Sequence, residues 1–119
     1  MTSAFSEAEL DYLRSGAGEE RAHLALGDSE RTHVMPVSFR YNAAEDAIEI
    51  GAPAALHIGV HLSAEEPTDA ELVIGDLASI EPWRPRGIEV QGTIETLRGP
   101  PGIRIVPRRV RSWGLEQRT

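Results

Sequence analysis

The pattern of apolar and polar positions changes once along the chain, from a helical period to a strand period. Near the N-terminus, Ser6 is followed three residues later by Glu9, which is the signature of a capping box at the start of a helix. Phe5 and Leu10 flank this start at the positions of a hydrophobic staple. Gly16 is placed to end the helix. The sequence therefore predicts one short amphipathic helix between Ser6 and Gly16.

After this helix, apolar residues alternate with polar ones in short runs that turn residues separate. The alternation is clearest over residues 32–42, where every second position from His33 to Tyr41 is predicted to share one face. Pro36 lies inside that run and predicts an edge, a bulge or a bend, because proline cannot donate to a strand ladder. Strands are predicted over residues 21–28, 32–42, 47–51, 70–80, 86–97 and 103–106.

One helix followed by six short strands is typical of a small antiparallel barrel. The length of 119 residues is that of a single domain, spanning residues 1–119, with enough chain to bury a core. A six-stranded barrel in so short a chain leaves part of its sheet uncovered. We expect a homodimer to bury that part.

Composition narrows the class of protein. The chain has no cysteine, which excludes disulfides and thiolate metal sites. No apolar run has the length of a membrane span, and the N-terminus lacks the plan of a signal peptide. A net charge of -7 argues against nucleic acid as a partner. These features predict a soluble cytoplasmic protein that contacts neither membrane nor nucleic acid.

The charge is spread unevenly along the chain. Residues 84–119 contain eight arginines and three glutamates, whereas residues 1–83 contain four arginines and sixteen acidic residues. Two interpretations follow. The basic segment binds a phosphorylated or carboxylated ligand, or it docks on the acidic part of its own or a partner chain.

Two histidines, His57 and His61, stand four residues apart in an otherwise uncharged stretch. This spacing places them on one face of a helix or a strand, but a metal site needs a third ligand from elsewhere, such as His33. The chain has no HExxH motif, no G-x-S-x-G motif and no phosphate-binding loop. We therefore predict no metal, and we keep His33, His57 and His61 as candidates for proton transfer.

The segment from residue 81 to residue 92 is rich in groups that suit an anionic, planar ligand. Two prolines hold it extended, and Trp83, Arg84 and Arg86 project from it. Guanidinium groups match phosphate or carboxylate and stack on rings. The alternative is a proline-stiffened strand entry whose arginines pair with nearby acidic residues. A second tryptophan, Trp113, lies in the arginine-rich segment near the C-terminus.

Several strings occur here in an order that resembles a known family. They are FSEAELDYLRS, RTHVMPVSFRYN, DAIEIG, PWRPRGIEVQG and IRIVPRRVRSWGLE. The chain resembles the small members of the pyridoxamine-5'-phosphate-oxidase-like (PPOX-like) group, which are F420-dependent or FMN-binding oxidoreductases. The resemblance implies a mainly β fold, namely a six-stranded antiparallel split barrel with an N-terminal helix. It also implies a homodimer with the cofactor in a groove between the subunits.

The resemblance implies positions for the cofactor as well. The strand matching residues 34–38 would lie along the ring system of F420 or FMN, and the end of the next strand would approach it. The implied contacts are Met35, Pro36, Val37, Ser38, Ile50 and Gly51, and Trp113 would lie near the groove between subunits. Trp83, Arg84 and Arg86 join them as predicted cofactor contacts because of their residue types. In such proteins the cofactor performs hydride transfer, and the protein positions it beside a small organic substrate.

The chain departs from this family where the cofactor phosphate is held. The strand matching residues 47–51 is followed in the family by arginines and lysines, but here by a neutral and then acidic stretch. Gln91 also stands where the family often carries arginine. Three functions therefore remain open. The first is a flavin- or F420-dependent oxidoreductase in which Arg84, Arg86, Arg108 or Arg109 supplies the charge. The second is a cofactor-free enzyme that uses a histidine on an apolar or polyketide-like substrate, and the third is a non-catalytic binding protein.

Overall fold

The computed structural model describes residues 3–15, 22–27, 32–51, 68–96 and 103–115, with backbone only at positions 32, 33, 68 and 96. One helix and seven strands lie in these ranges. In chain order they are α1 (Glu7–Ser15), β1 (Ala22–Gly27), β2 (Thr32–Val37), β3 (Phe39–Asn42), β4 (Ala47–Ile50), β5 (Thr68–Ser79), β6 (Arg84–Thr96) and β7 (Ile103–Trp113).

The strands form one antiparallel sheet that curls on itself. Its order is β2-β1-β5-β6-β7-β4-β3, so the two outermost strands are β2 and β3. These two strands follow each other in the chain with only Ser38 between them. Opposite edges of the sheet must therefore meet at Ser38, and this closure makes the sheet a split barrel. The predicted fold class, mainly β with an N-terminal helix, is confirmed.

The barrel interior is filled by the apolar face of each strand. Alternate residues of the four longest central strands are buried, as the period of two predicts. The largest fully buried side chains are Leu24, Ile48, Leu72, Ile74, Ile88, Val90, Ile103 and Ile105. The polar residues that alternate with these on β6, such as Glu89 and Gln91, lie on the outer face and are only partly buried.

Helix α1 begins as the sequence predicts. The backbone N–H of Glu9 donates to Ser6 Oγ at 3.2 Å, and the N–H of Ser6 donates to Glu9 Oε1 at 2.8 Å, which completes a capping box. The helix buries Tyr12 and Leu13 against the core beside Phe5. No helix in the described part of the chain is long and apolar enough to cross a membrane.

The sheet has seven strands in the described residues, where the sequence predicts six. The predicted strand over residues 32–42 is divided at Ser38, because its two halves pair with different neighbours at opposite edges. The predicted strand over residues 103–106 is too short, because β7 continues to Trp113 along β6. Pro36 lies on the edge strand β2, as predicted.

The basic C-terminal segment pairs largely with carboxylates of its own chain. Arg86 contacts Asp76 at 2.7 Å, Arg108 contacts Asp69 at 3.0 Å, and Arg104 contacts Glu95 at 2.8 Å. Arg111 likewise contacts Glu89 at 3.1 Å. Of the two interpretations of the uneven charge, docking on the same chain is therefore observed for these four arginines. Exposed pairs of this kind add little stability each, so their main effect is to neutralise charge.

A hydrogen-bond cluster around Asp46 fastens the N-terminal segment to the β3–β4 turn. Asp46 accepts from Ser3 Oγ at 2.6 Å, from the Ala4 N–H at 2.7 Å and from the Tyr41 hydroxyl at 2.6 Å. Burial raises the pKa of the Asp46 carboxyl, but these three hydrogen bonds outweigh burial and lower the pKa below its ordinary value. The carboxylate form therefore stabilises the fold.

This cluster predicts how stability depends on acid. A depressed carboxyl pKa stabilises the fold above the unfolded pKa of about 3.9, and this contribution is lost as pH falls through the folded pKa. We expect Asp46→Asn to lower the free energy of unfolding by about 1–2 kcal/mol at pH 7, because hydrogen bonds to a charged group are lost. The deficit should shrink below about pH 4 in urea titrations. The neighbouring variant Glu45→Gln loses only an exposed contact with Arg104 at 3.6 Å and should lower the free energy of unfolding by less than about 0.5 kcal/mol. An equal deficit of Asp46→Asn at pH 3 and pH 7 would contradict the assignment.

Candidate functional site

The residue that follows β2 and the residue that follows β4 are hydrogen-bonded, and this contact brings three of the predicted cofactor contacts together. The backbone N–H of Gly51 donates to the carbonyl oxygen of Ser38 at 3.0 Å, and Ile50 pairs with Phe39. A Cβ at Gly51 would collide with Ser38 Oγ, so glycine allows the two segments to approach this closely. Ser38, Ile50 and Gly51 are thus neighbours in the fold, and their contact with a cofactor stays a prediction.

Strand β2 presents two different faces. Val34 is 63% exposed, and Pro36 and Ser38 are also exposed. Met35 packs partly against the core, and Val37 is buried. A planar ligand lying along β2 would therefore contact the outward side chains of alternate residues, but only the backbone of Met35 and Val37. The buried side chain of Ile50 is likewise unavailable to such a ligand.

The turn between β5 and β6 carries exposed apolar side chains. Trp83 is 70% exposed, Ile80 is 75% exposed and Leu77 is 44% exposed. Trp113, at the end of β7, is 39% exposed. Single exposed apolar residues are common, but several large ones on one domain of this size are typical of a contact surface.

Trp113 lies against a pair of glycines that face each other across β5 and β6. Gly75 pairs with Gly87, and Gly87 pairs with Trp113. A Cβ at Gly87 would lie 2.5 Å from Cζ2 of the indole, and a Cβ at Gly75 would lie 3.9 Å from the same atom. Because glycine has no Cβ, Gly75 and Gly87 leave space on the outer face of the sheet, and the indole of Trp113 occupies it.

Arg86 is held by partners from two elements. Its Nε donates to Asp76 Oδ1 at 2.7 Å and its Nη2 donates to Asp76 Oδ2 at 2.9 Å. The Tyr12 hydroxyl of α1 donates to Asp76 Oδ1 at 2.8 Å, and the Arg86 guanidinium lies 5.3 Å from the centre of the Tyr12 ring. The hydrogen bond to Asp76, although burial opposes it, raises the pKa of Arg86 above its ordinary value.

A polar cluster occupies the outer face of the central strands. Glu89 accepts from Arg111 at 3.1 Å and from Gln91 Nε2 at 3.1 Å. Burial raises the pKa of the Glu71 carboxyl, and the nearby charge of Glu89 raises it further. An open hollow of about 360 Å³ borders this cluster, with Ala25, Asp69, Glu71, Gln91 and Arg108 among its lining residues.

Arg109 stands apart from the neutralised arginines. It pairs in register with Gln91 across β6 and β7, so both residues face outward beside this cluster. Within the described part of the chain, no carboxylate lies within salt-bridge distance of Arg109 or of Arg84. These two arginines can therefore meet an anion without breaking an ion pair.

The predicted histidines stay untested as proton-transfer groups. His57 and His61 lie outside the described residues, and for His33 only the backbone, which pairs with Leu26, is described. Among the residues that the structure does describe, no three histidine, aspartate or glutamate side chains are grouped so that they could hold a metal ion.

Comparison with known proteins finds likeness in structure only. No protein-family model matches the sequence, and no curated protein matches it. Among solved structures, a pyridoxamine 5'-phosphate oxidase candidate from Corynebacterium glutamicum matches 95% of this chain and 94% of its own, with a TM-score of 0.62 at 18% identity. The FAD-binding protein from Mycobacterium smegmatis matches 91% of this chain and 93% of its own, with a TM-score of 0.63 at 16% identity.

The chain has the same fold as both. This confirms, at the level of fold, the resemblance to the PPOX-like split barrels. The structure also adds two residues that the sequence analysis did not single out, Tyr12 and Asp76, which orient Arg86. Asp76 could have been found, since Asp76 and Arg86 lie at equal distances on either side of Glu81 and a hairpin pairs such positions. Nothing local in the sequence connects Tyr12 to this pair.

Proposed function

We propose that the protein is an oxidoreductase that binds a flavin-type cofactor, either FMN or F420, and acts on a small organic substrate. The observation that carries this proposal is the split-barrel fold, shared over more than nine-tenths of its length with a pyridoxamine 5'-phosphate oxidase candidate and an FAD-binding protein. Fold alone does not fix chemistry, so the proposal must also agree with the residues of this chain.

The outward face of β2 fits the ring system of such a cofactor. Val34 and Pro36 present an exposed apolar surface, and Ser38 adds a hydroxyl at its end. The close approach of Gly51 to Ser38 keeps this end of the strand free of further side chains. An apolar, rigid strand can orient a planar ring and exclude water from one of its sides.

Arg109 is the residue that we assign to the cofactor phosphate. The family often carries arginine at the position of Gln91, and Arg109 lies directly across from Gln91 on the same outer face. Arg109 thus provides a positive charge on β7, next to the β6 position where the family often carries arginine. Arg108 is less suitable, because Asp69 already neutralises it, and Arg86 lies away from this face, against Tyr12 of α1. The predicted roles of Trp83, Arg84, Arg86 and Trp113 in cofactor binding stay predictions.

We further propose that the protein acts as a homodimer. The exposed apolar side chains of Ile80 and Trp83 on the β5–β6 turn, and of Val34 on the edge strand β2, are places where a second copy can cover apolar area. In this arrangement the outward face of β2 that would hold the cofactor ring, here called the ring surface, borders a groove between the subunits. When bound, the cofactor carries the hydride, and the groove holds the substrate beside it.

Direct titration tests the proposed function. We expect FMN or F420 to bind the purified protein at micromolar concentration or below, with quenching of fluorescence from Trp83 and Trp113. Arg109→Gln should weaken binding by about tenfold or more, because one charge-assisted contact to phosphate is lost. Arg14→Gln removes an equal charge from α1 and should have no effect. The absence of binding by both cofactors at high micromolar concentration would contradict the proposal.

A further inference from the structure

A cleft of about 490 Å³ separates α1 from the start of β6 and the end of β7. Its apolar walls are formed by Ala8 of α1, Ala78 of β5, Pro85 of β6 and Leu115 after β7. Its polar groups come from Asp11, Tyr12, Arg84 and Arg86. This combination of apolar walls with a few converging polar groups, at this volume, is typical of small-molecule sites.

Arg86 is prepared to bind an anion at the floor of this cleft. Asp76 holds the Nε and Nη2 edge of its guanidinium, and the Tyr12 ring packs at 5.3 Å. Among the described residues, no hydrogen bond engages the remaining nitrogen, Nη1, which carries two N–H donors of its own. Because the guanidinium is already fixed, little side-chain entropy is lost when an anion binds to Nη1.

Arg84 supplies the second donor group. It lies two residues before Arg86 on the same strand, so both side chains project from the same face of β6. Arg84 is exposed and has no ion pair among the described residues, and Asp11 stands across the cleft on α1. The cleft thus contains one arginine oriented by Asp76 and one arginine whose charge is not compensated.

We propose that this cleft binds a small organic anion, with its carboxylate or phosphate group between Arg84 and Arg86. Its apolar body would contact Ala8, Ala78 and Leu115. This site goes beyond the proposed function, because it lies at α1 rather than on the outward face of β2 and requires no redox cofactor. Anion binding here would also tie α1 more firmly to the barrel, since Tyr12 and Arg86 share Asp76.

Calorimetric titration without any flavin tests this site. The probes are benzoate, phenyl phosphate and the neutral isostere benzamide. We expect both anions to bind at least about tenfold more tightly than benzamide, and Arg84→Gln to weaken anion binding by about tenfold. Binding of either anion supports the site, and the ratio of the two affinities ranks carboxylate against phosphate ester as its anionic group. Ala78→Leu fills the cleft and should weaken binding of both anions without removing charge.

Arg14→Gln is the matched control, because it removes one exposed arginine from α1 outside the cleft. The proposal is overturned if Arg14→Gln weakens binding as much as Arg84→Gln, since the effect would then be general electrostatics. Equal binding of benzamide and benzoate, or no binding of either anion at tens of millimolar, overturns it as well. Displacement of benzoate by FMN also overturns it as a separate site, because the cleft would then belong to the cofactor. Retained benzoate binding in a protein that binds neither FMN nor F420 supports this site and refutes only the proposed oxidoreductase.

Discussion

Replacing Gly87 by valine is expected to lower the free energy of unfolding by about 3 kcal/mol, through overpacking at a point that cannot relax. A Cβ at this position would lie 2.5 Å from the carbonyl oxygen of Ile74 and 2.5 Å from Cζ2 of Trp113. The carbonyl belongs to the β5–β6 ladder, so the backbone cannot withdraw without breaking strand pairing. Against a total stability of roughly 5–15 kcal/mol, such a loss is large.

The measurement is urea unfolding followed by tryptophan emission and by far-ultraviolet circular dichroism. In the variant the indole of Trp113 is displaced, so its emission should shift to longer wavelength before any urea is added. Gly75→Ala is the matched control, because its Cβ would lie 3.2 Å from the nearest backbone oxygen and 3.9 Å from the indole. We expect that variant to lower the free energy of unfolding by less than about 1 kcal/mol. Equal stability of Gly87→Val and the parent protein would show that Trp113 does not pack on the glycine pair.

Local patterns in the sequence were sufficient for the parts of the fold that local forces decide. The capping box of α1 depends on two residues three positions apart, and both of its hydrogen bonds form. The alternation along β6 predicts the buried faces because the strand's own period sets them. The division at Ser38 could not be predicted in the same way. It arises where the two edges of the curled sheet meet, and that depends on all the intervening strands.

The length of β7 was missed because its second half is rich in arginine and its polar residues suggested a tail. The acidic residues that stabilise this half of β7 lie elsewhere in the chain. Glu89 on β6 contacts Arg111, and Asp69 on β5 contacts Arg108. The candidate site shows the same division. The family resemblance singled out Ser38 and Gly51 as cofactor contacts, which stay predictions, and only the structure shows that they are neighbours. The engagement of Arg86 by Tyr12 and Asp76 required the packing of α1 on the barrel.

Replacing Val34 by glutamate is expected to weaken FMN or F420 binding by about 10- to 150-fold, if the outward face of β2 holds the cofactor ring as proposed. Burying a valine side chain against a ligand contributes roughly 1.5–3 kcal/mol, and about 1.4 kcal/mol corresponds to a tenfold change in affinity. The glutamate also places a negative charge beside an anionic cofactor. Because Val34 is 63% exposed, the variant should fold, and its free energy of unfolding should fall by no more than about 1 kcal/mol.

Ala44→Glu provides the control, since Ala44 is exposed and the same change of apolar to acidic side chain is made on the β3–β4 turn, outside the proposed cofactor and subunit contacts. Affinity is measured by fluorescence titration, and the mass of each variant in solution is measured by light scattering. A Val34→Glu protein that keeps the mass of the parent but loses the cofactor assigns the loss to the ring surface. A variant that dissociates and loses the cofactor places Val34 in the subunit contact and is then compared with Val34→Ala, which removes apolar area without adding charge. Unchanged affinity in both Val34 variants would show that the ring does not lie on β2.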